Sequence, residues 1–372
     1  MSVAGPASPE RHGGNLAATA RRLGCRPEQL LDASASLVPF RPPASLQRAL
    51  RRAPLRPYPD RDYSALRAVI GALHGLDPAW VLPGNGAAEL FTWAARDAAS
   101  LGASLLPAPG FADYRRALAC WGGTALAAPL PLQSWCAGPA AWPLAAADAS
   151  ATPPVLWITN PHNPTGQLWS RAALEPLLQR HALVICDEAF LPLVPDGERQ
   201  SLLPLLMEHP NLVVIRSLTK LFAMAGLRLG YALGQPERLR RWSRWRDPWP
   251  VNSLAAAAAE ALLADRLAYQ RWCSRVQRWV AAEAGWLQRQ LSSMPGLEPL
   301  PSAANFLLVR GVRGGQPVSL EPLRQALEQR HRILLRDCRS FEGMGDHWLR
   351  LGYQSRAGHR RIVRALAREL SR

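Results

Sequence analysis

Short apolar runs alternate with amphipathic stretches through the middle of the chain, most clearly between residues 153 and 234. PPVLWITN (153–160) predicts a buried strand, SRAALEPLLQRH (170–181) a helix and ALVICDEA (182–189) a second strand. SLLPLLMEHP (201–210) predicts a helix, NLVVIRSL (211–218) a strand and LRLGYALG (227–234) another. Continuously apolar strands alternating with helices predict an α/β fold: a large domain whose mostly parallel central sheet lies between helices. Upstream, ASLQRALRRA (44–53) and SALRAVIGALHG (64–75) carry helical periodicity. From 237 to 292 the pattern reads as one long helical stretch rich in Arg, Trp and Ala. Strand-like NFLLVR (305–310) and WLRLGY (348–353) follow, with helices over 319–330 and 357–371. These pieces predict a smaller α+β domain built from both termini. The expected division is 45–255 for the large domain and 1–44 with 256–372 for the small one.

Composition narrows the class. At 372 residues, 48% hydrophobic and 19% charged, the chain can bury a sizeable core, which excludes a disordered or fibrous protein. Its best apolar run, LAAAAAEALLA (254–264), is shorter than the roughly 20 residues a membrane span needs and contains Glu260. The opening MSVAGPASPERHGG lacks a basic-then-apolar signal pattern, so a cytoplasmic protein with no membrane partner is expected. Six scattered cysteines without a CxxC pair predict reduced thiols and no metal site. The formal charge of +16 raises nucleic-acid binding, as does RLRRWSRWRDPWP (238–250), which interleaves arginine with tryptophan. Yet all but one of the 44 basic residues are arginine, which reads as a codon bias, and the 238–250 segment reads as an amphipathic helix whose tryptophans pack into the domain junction. No nucleic-acid partner is therefore expected. Lysine chemistry has one possible location, Lys220.

In open parallel sheets, ligands bind beyond the carboxyl ends of the strands. Three predicted strands end in polar groups there: Asn163 in NPHNPTG, Asp187-Glu188, and Ser217-Leu-Thr219-Lys220. A glycine-bearing turn, GNGAAELF (84–91), runs into a helix and offers backbone N–H groups to a phosphate, with Arg228 as a charged partner. A lysine for a Schiff base, a carboxylate to keep a ring nitrogen protonated and a phosphate cradle suit pyridoxal 5'-phosphate. Each piece alone is weak: GNGA and NPTG are ordinary turns, and Asp187-Glu188 would suit magnesium only beside a GxxxxGK[ST] loop, which SLTKL is not.

Taken together, NPHNPTG, ICDEAF and SLTKLFAMAGLRLGY closely resemble the fold-type I, class I/II aminotransferase family. HGGN (12–15), RPYPDRDYSALR, LPGNGAAELF, PAPGFADYRRAL, RDPWPVNSLA and ILLRDCRSFEGMGDHWLRLGY narrow the resemblance to the threonine-phosphate decarboxylases of cobalamin biosynthesis. The resemblance implies a fold-type I, pyridoxal phosphate-dependent enzyme that decarboxylates L-threonine O-3-phosphate to (R)-1-aminopropan-2-yl phosphate. It implies Lys220 as the Schiff-base lysine and Asp187 as the partner of the pyridine nitrogen. Asn163 falls beside the ring oxygen and Phe111 on the ring face, with Gly86, Ala87, Ser217 and Arg228 around the phosphate. Tyr58 would reach the partner subunit's cofactor in a homodimer with shared active sites. His12, Gly13, Ser36, Asn163, Arg336 and Arg350 fall at substrate-contacting positions, for a phosphorylated amino acid. The alternative is a histidinol-phosphate-type aminotransferase; those relatives generally lack HGGN and carry tyrosine where this chain has Phe190. The chain departs from the decarboxylase pattern at Ser36, Val38, Ala87-Ala88 and Gln354.

Overall fold

The computed structural model describes residues 12–132, 135–136, 138–144 and 152–372; the first eleven residues, where the sequence carries no signal pattern, lie outside them. Strands Val155–Thr159, Leu183–Asp187 and Leu212–Ser217 are buried at every position, as strands covered on both faces must be. They form the centre of a seven-stranded sheet. Its order is Val81–Asn85, Leu229–Gly234, Leu212–Ser217, Leu183–Asp187, Val155–Thr159, Ser104–Ala108 and Ala125–Pro129. All neighbours run parallel except at Leu229–Gly234, which is antiparallel to both of its neighbours. The segment between Ser217 and Leu229 is too short for a helical crossover, so the chain turns back instead of crossing over.

A second sheet joins the two ends of the chain. Leu31–Ala33 pairs in parallel with Ile333–Asp337, and Trp348–Gly352, Phe306–Arg313, Leu297–Pro299 and the short Gln316–Pro317 complete it in antiparallel fashion. The N-terminal segment and the C-terminal strands thus share one sheet, as the pattern of both termini implied.

Two helical expectations are corrected. Residues 201–210 hold only the 3-10 turn Leu203–Leu205, with the Leu202 N–H donating to Glu188 Oε1. The stretch 237–292 is three helices: Pro236–Arg244, Ser253–Leu263 and Arg266–Ser292. Pro248 and Pro250 break the first junction. Asn252 and Asp265 then start new helices by accepting from the Ala255 and Ala268 N–H groups. Trp242 does not lie at a junction between the two sheets. It packs beside Leu90 and Ala94 on the helix layer of the large sheet, and its Nε1 donates to Asp97 at 3.2 Å. Arg238 and Arg241 also hold Asp97, so the positive face of this segment is partly neutralised from within. Among the described residues no helix is long and apolar enough to cross a membrane. No group of three or more metal-ligating side chains gathers among them either.

Beneath the strand ends lies an ion network whose central pair, Arg216 and Glu188, is buried and whose third member, Glu198, reaches the surface. Arg216 donates to Glu188 Oε2 at 2.6 Å through Nη2 and to Glu198 Oε1 at 2.6 Å through Nη1; Ser201 Oγ donates to Glu188 Oε2 at 2.8 Å. Alternation along the strands sends Glu188 and Arg216 to the face opposite Asp187 and Ser217, so the network braces the strand ends from behind. Removing one partner strands a buried charge, so Arg216→Met is expected to lose about 3–5 kcal/mol of stability by urea denaturation. The double variant with Glu188→Leu should recover part of that loss. A single-variant loss below about 1 kcal/mol would contradict the bracing role.

Candidate active site

The strand ends deliver their polar groups to one place. Asp187, last in its strand, is buried; its Oδ1 accepts from the Ala189 N–H at 2.9 Å and its Oδ2 from the Tyr114 phenol at 2.6 Å. Burial pushes its carboxyl up to about 6, against the pull of those two bonds. Ser217 ends the next strand and caps the short helix Leu218–Leu221, its Oγ accepting from the Thr219 N–H at 3.3 Å. That turn sets Lys220 over the cavity, its Nζ 5.8 Å from the centre of the Phe190 ring. Burial, then the nearby Arg350 and Arg228, pull its ammonium down to about 8, so the neutral amine is accessible near physiological pH.

A cradle forms where the Gly86–Leu101 helix begins. Gly86 has φ +74°, and a Cβ there would lie 2.6 Å from Arg228 Nη2, so only glycine lets the guanidinium fold over the helix start. Gly230 works the same way from below, since its Cβ would meet the Ala87 N–H nitrogen at 2.6 Å. The open N–H groups of a helix N-terminus beside an arginine form an anion site. Phe111 caps the Ala112–Ala119 helix and presents its ring to the cavity, edge-on to Phe91 and Tyr114.

The opposite wall comes from the second sheet. Arg336 and Arg350 are direct register partners on adjacent antiparallel strands, both buried, and both flank Phe341, at 5.2 and 6.0 Å. Arg350 donates to Asn163 Oδ1 at 2.5 Å and to the Ser34 carbonyl at 3.2 Å, while its Nε is buried without a partner. Burial and the neighbouring Arg336 pull it down to about 10. Arg336 donates to Ser340 Oγ at 2.6 Å. The N-terminal segment closes the rim. A Cβ at Gly13 would lie 2.3 Å from the Ser34 carbonyl oxygen, the Gly14 N–H donates to Ser34 Oγ, and His12 Nε2 lies 3.5 Å from Asp113 Oδ1.

Lys220, Asp187, Ala87, Phe111, Asn163, Ser217, Arg228, His12, Gly13, Ser36, Arg336 and Arg350 all line one cavity of ≈ 200 Å³. Gly86 stands behind it, against Arg228. Tyr58 lies outside, exposed and stacked on Trp249 at 4.4 Å. Of the departures from the decarboxylase pattern, Ser36 faces the cavity with its buried Oγ unpartnered. Gln354 turns away and donates to the Asp32 carbonyl, and Val38 is core. Sequence reasoning missed Tyr114, Thr159, Ser34 and Asp113. Tyr114 was within reach, three residues after Phe111 and so on the same helix face.

The profile of the family described as aminotransferase class I and II matches residues 31–366. The chain belongs to this family. It is 34% identical over 372 residues to the threonine-phosphate decarboxylase of Salmonella typhimurium, covering 97% of this chain and 96% of that protein. It is also 32% identical over 327 residues to histidinol-phosphate aminotransferase 2 of Ralstonia nicotianae, covering 84% and 83%. Among solved structures it resembles the histidinol-phosphate aminotransferase of Sinorhizobium meliloti in complex with pyridoxal-5'-phosphate. The TM-score is 0.82 at 23% identity, over 100% of this chain and 98% of that one. This class I/II aminotransferase-family chain is thus a fold-type I, pyridoxal phosphate-dependent enzyme, and its residues fit the cofactor. The cavity offers one amine of lowered basicity, a buried carboxylate, an aromatic face and a cradle that any Cβ at Gly86 would fill.

Because Lys220 is the only lysine, its titration can be read directly. In cofactor-free protein its amine should react with a small aldehyde half-maximally near pH 8, followed by peptide mass after borohydride reduction. Arg228→Gln removes a repelling cation, which eases protonation, so its midpoint should rise. A native midpoint above pH 10 would contradict this electrostatic reading.

Proposed function

We propose that the enzyme decarboxylates L-threonine O-3-phosphate to (R)-1-aminopropan-2-yl phosphate, a step of cobalamin biosynthesis, as a homodimer in which Tyr58 serves the partner's site. The observation that carries the reading is the cross-strand pair Arg336–Arg350, buried in the cavity that holds Lys220. Like charges placed directly opposite each other are unfavourable. Two arginines, with His12 at the rim, suit a small substrate bearing both a carboxylate and a phosphate. The 34% identity to the Salmonella typhimurium decarboxylase along nearly the whole chain supports the same substrate.

When bound, pyridoxal phosphate supplies an electron sink for negative charge developing at the substrate Cα. The chain's residues do the rest. Arg228 and the N–H groups at the start of the Gly86–Leu101 helix hold the cofactor phosphate, and Asp187 holds a proton on the pyridine nitrogen. Phe111 covers the ring, and Asn163 donates beside its oxygen. Arg336, Arg350 and His12 orient the substrate, and that orientation decides which bond at Cα breaks. Lys220, still in part an ammonium near pH 8, would give a proton to Cα in place of the departed carbon dioxide. Phe190, with no hydroxyl to share the ring oxygen, leaves that contact to Asn163.

Purified protein with pyridoxal phosphate and L-threonine O-3-phosphate should release carbon dioxide, and Lys220→Ala should abolish the release. Arg336→Met should raise KM at least about tenfold, the loss of one charge-assisted contact. The 32% identity to the Ralstonia nicotianae aminotransferase defines the opposing result. Glutamate formed from 2-oxoglutarate and histidinol phosphate, without carbon dioxide release, would replace decarboxylation by transamination.

A further inference from the structure

Asp187 does not meet the cavity as a bare carboxylate. Its Oδ2 accepts from the Tyr114 phenol at 2.6 Å, and the same phenol oxygen lies 2.9 Å from Thr159 Oγ1. A phenol carries one proton. With that proton given to Asp187, the Thr159 hydroxyl is the donor in the second bond, and the three groups form an ordered relay from Thr159 through Tyr114 to Asp187. Two parts of the fold bring them together. Thr159 and Asp187 are register partners at the ends of adjacent parallel strands. Tyr114 reaches both from the Ala112–Ala119 helix. Its ring is clamped, stacked on Trp157 at 5.0 Å and edge-on to Phe91 at 5.0 Å and Phe111 at 5.5 Å. All three relay groups are buried. Of the two oxygens within reach, the Asp187 carboxylate is a stronger acceptor than the Thr159 hydroxyl, and burial lifts the phenol's own ionisation well above the ordinary tyrosine range, so it remains a donor.

We propose that Tyr114 is a positioning residue of the cofactor site: its phenol, oriented by Thr159, keeps Asp187 anionic and aimed at the pyridine nitrogen of pyridoxal phosphate. The inference rests on the assignment of Asp187 to that nitrogen. Desolvation drives the Asp187 carboxyl towards its neutral form, and the Tyr114 bond is the largest influence opposing it. The Ala189 N–H and Lys220 also favour the anion, whereas Glu188 disfavours it. A neutral Asp187 could no longer hold a positive charge on the ring nitrogen, so losing the phenol weakens the hold on the cofactor without touching a cofactor-contacting side chain.

The test uses Tyr114→Phe, Thr159→Val and their double variant. Pyridoxal phosphate affinity is read by absorbance. Asp187 is titrated in cofactor-free protein by carbon NMR of labelled aspartate, assigned with Asp187→Asn. Tyr114→Phe should bind the cofactor about tenfold or more weakly, the loss of one charge-assisted hydrogen bond, and its Asp187 should titrate higher than in native protein. Thr159→Val should shift both readouts the same way by less, and the double variant should match Tyr114→Phe alone, because Thr159 acts through Tyr114. A folded Tyr114→Phe protein with native Asp187 titration overturns the proposal, whatever its cofactor affinity, since only packing would then have changed. Additive effects in the double variant overturn the relay. A native protein that fails to bind pyridoxal phosphate overturns the cofactor assignment instead, and the Asp187 titration still decides the role of Tyr114.

Discussion

Arg336 and Arg350 face each other across two antiparallel strands, both removed from water, and the rest of the site is arranged around that charge. Burying a cation is costly unless something of opposite sign arrives. Here Arg350 meets an amide oxygen and a backbone carbonyl, and its own basicity is pulled down to about 10. The same field reaches Lys220, whose ammonium gives up its proton near pH 8 because burial disfavours the charge and Arg350 and Arg228 repel it. The buried cations therefore favour an anion in the cavity and, together with burial, an amine that exchanges its proton near neutral pH.

The fold supplies the rigidity this requires. The carboxylate ends a fully buried strand, and the lysine and the asparagine each stand shortly past the end of another. Behind them, the Arg216–Glu188–Glu198 network ties the ends of two of these strands on the opposite face. The two cavity-lining arginines come from the other sheet, which draws its edge strand from the N-terminal segment. The cavity is lined from both ends of the chain, with Gly13 and Gly14 packed on Ser34 at its rim.

Much of this was legible in the sequence. The apolar runs at 155–159, 183–187 and 212–217 are strands, and the polar residues after them do converge. The glycine turn at 84–86 does open a helix, and Arg228 does reach it. What escaped depends on contacts distant in sequence. The Tyr114–Asp187 bond joins residues 73 positions apart and leaves no mark on local periodicity. Trp242 follows a helical pattern whichever surface receives it, so its seat beside Leu90 and its bond to Asp97 needed the tertiary structure. The 201–210 segment carries apolar spacing compatible with a helix but forms only the turn Leu203–Leu205, its Leu202 N–H donating to the distant Glu188 carboxylate. Gln354 departs from the decarboxylase pattern, and only the structure reveals that it turns towards the Asp32 carbonyl.

The central claim is that two buried cations recognise two anionic groups on one small substrate. Its most direct test compares kcat/KM for carbon dioxide release from L-threonine O-3-phosphate and from L-threonine by the same pyridoxal phosphate-loaded protein. The phosphate forms charge-assisted hydrogen bonds that the hydroxyl cannot, so the account predicts at least about a hundredfold preference for the phosphorylated amino acid. Equal values for the two substrates would contradict it, because the second cation would then be idle.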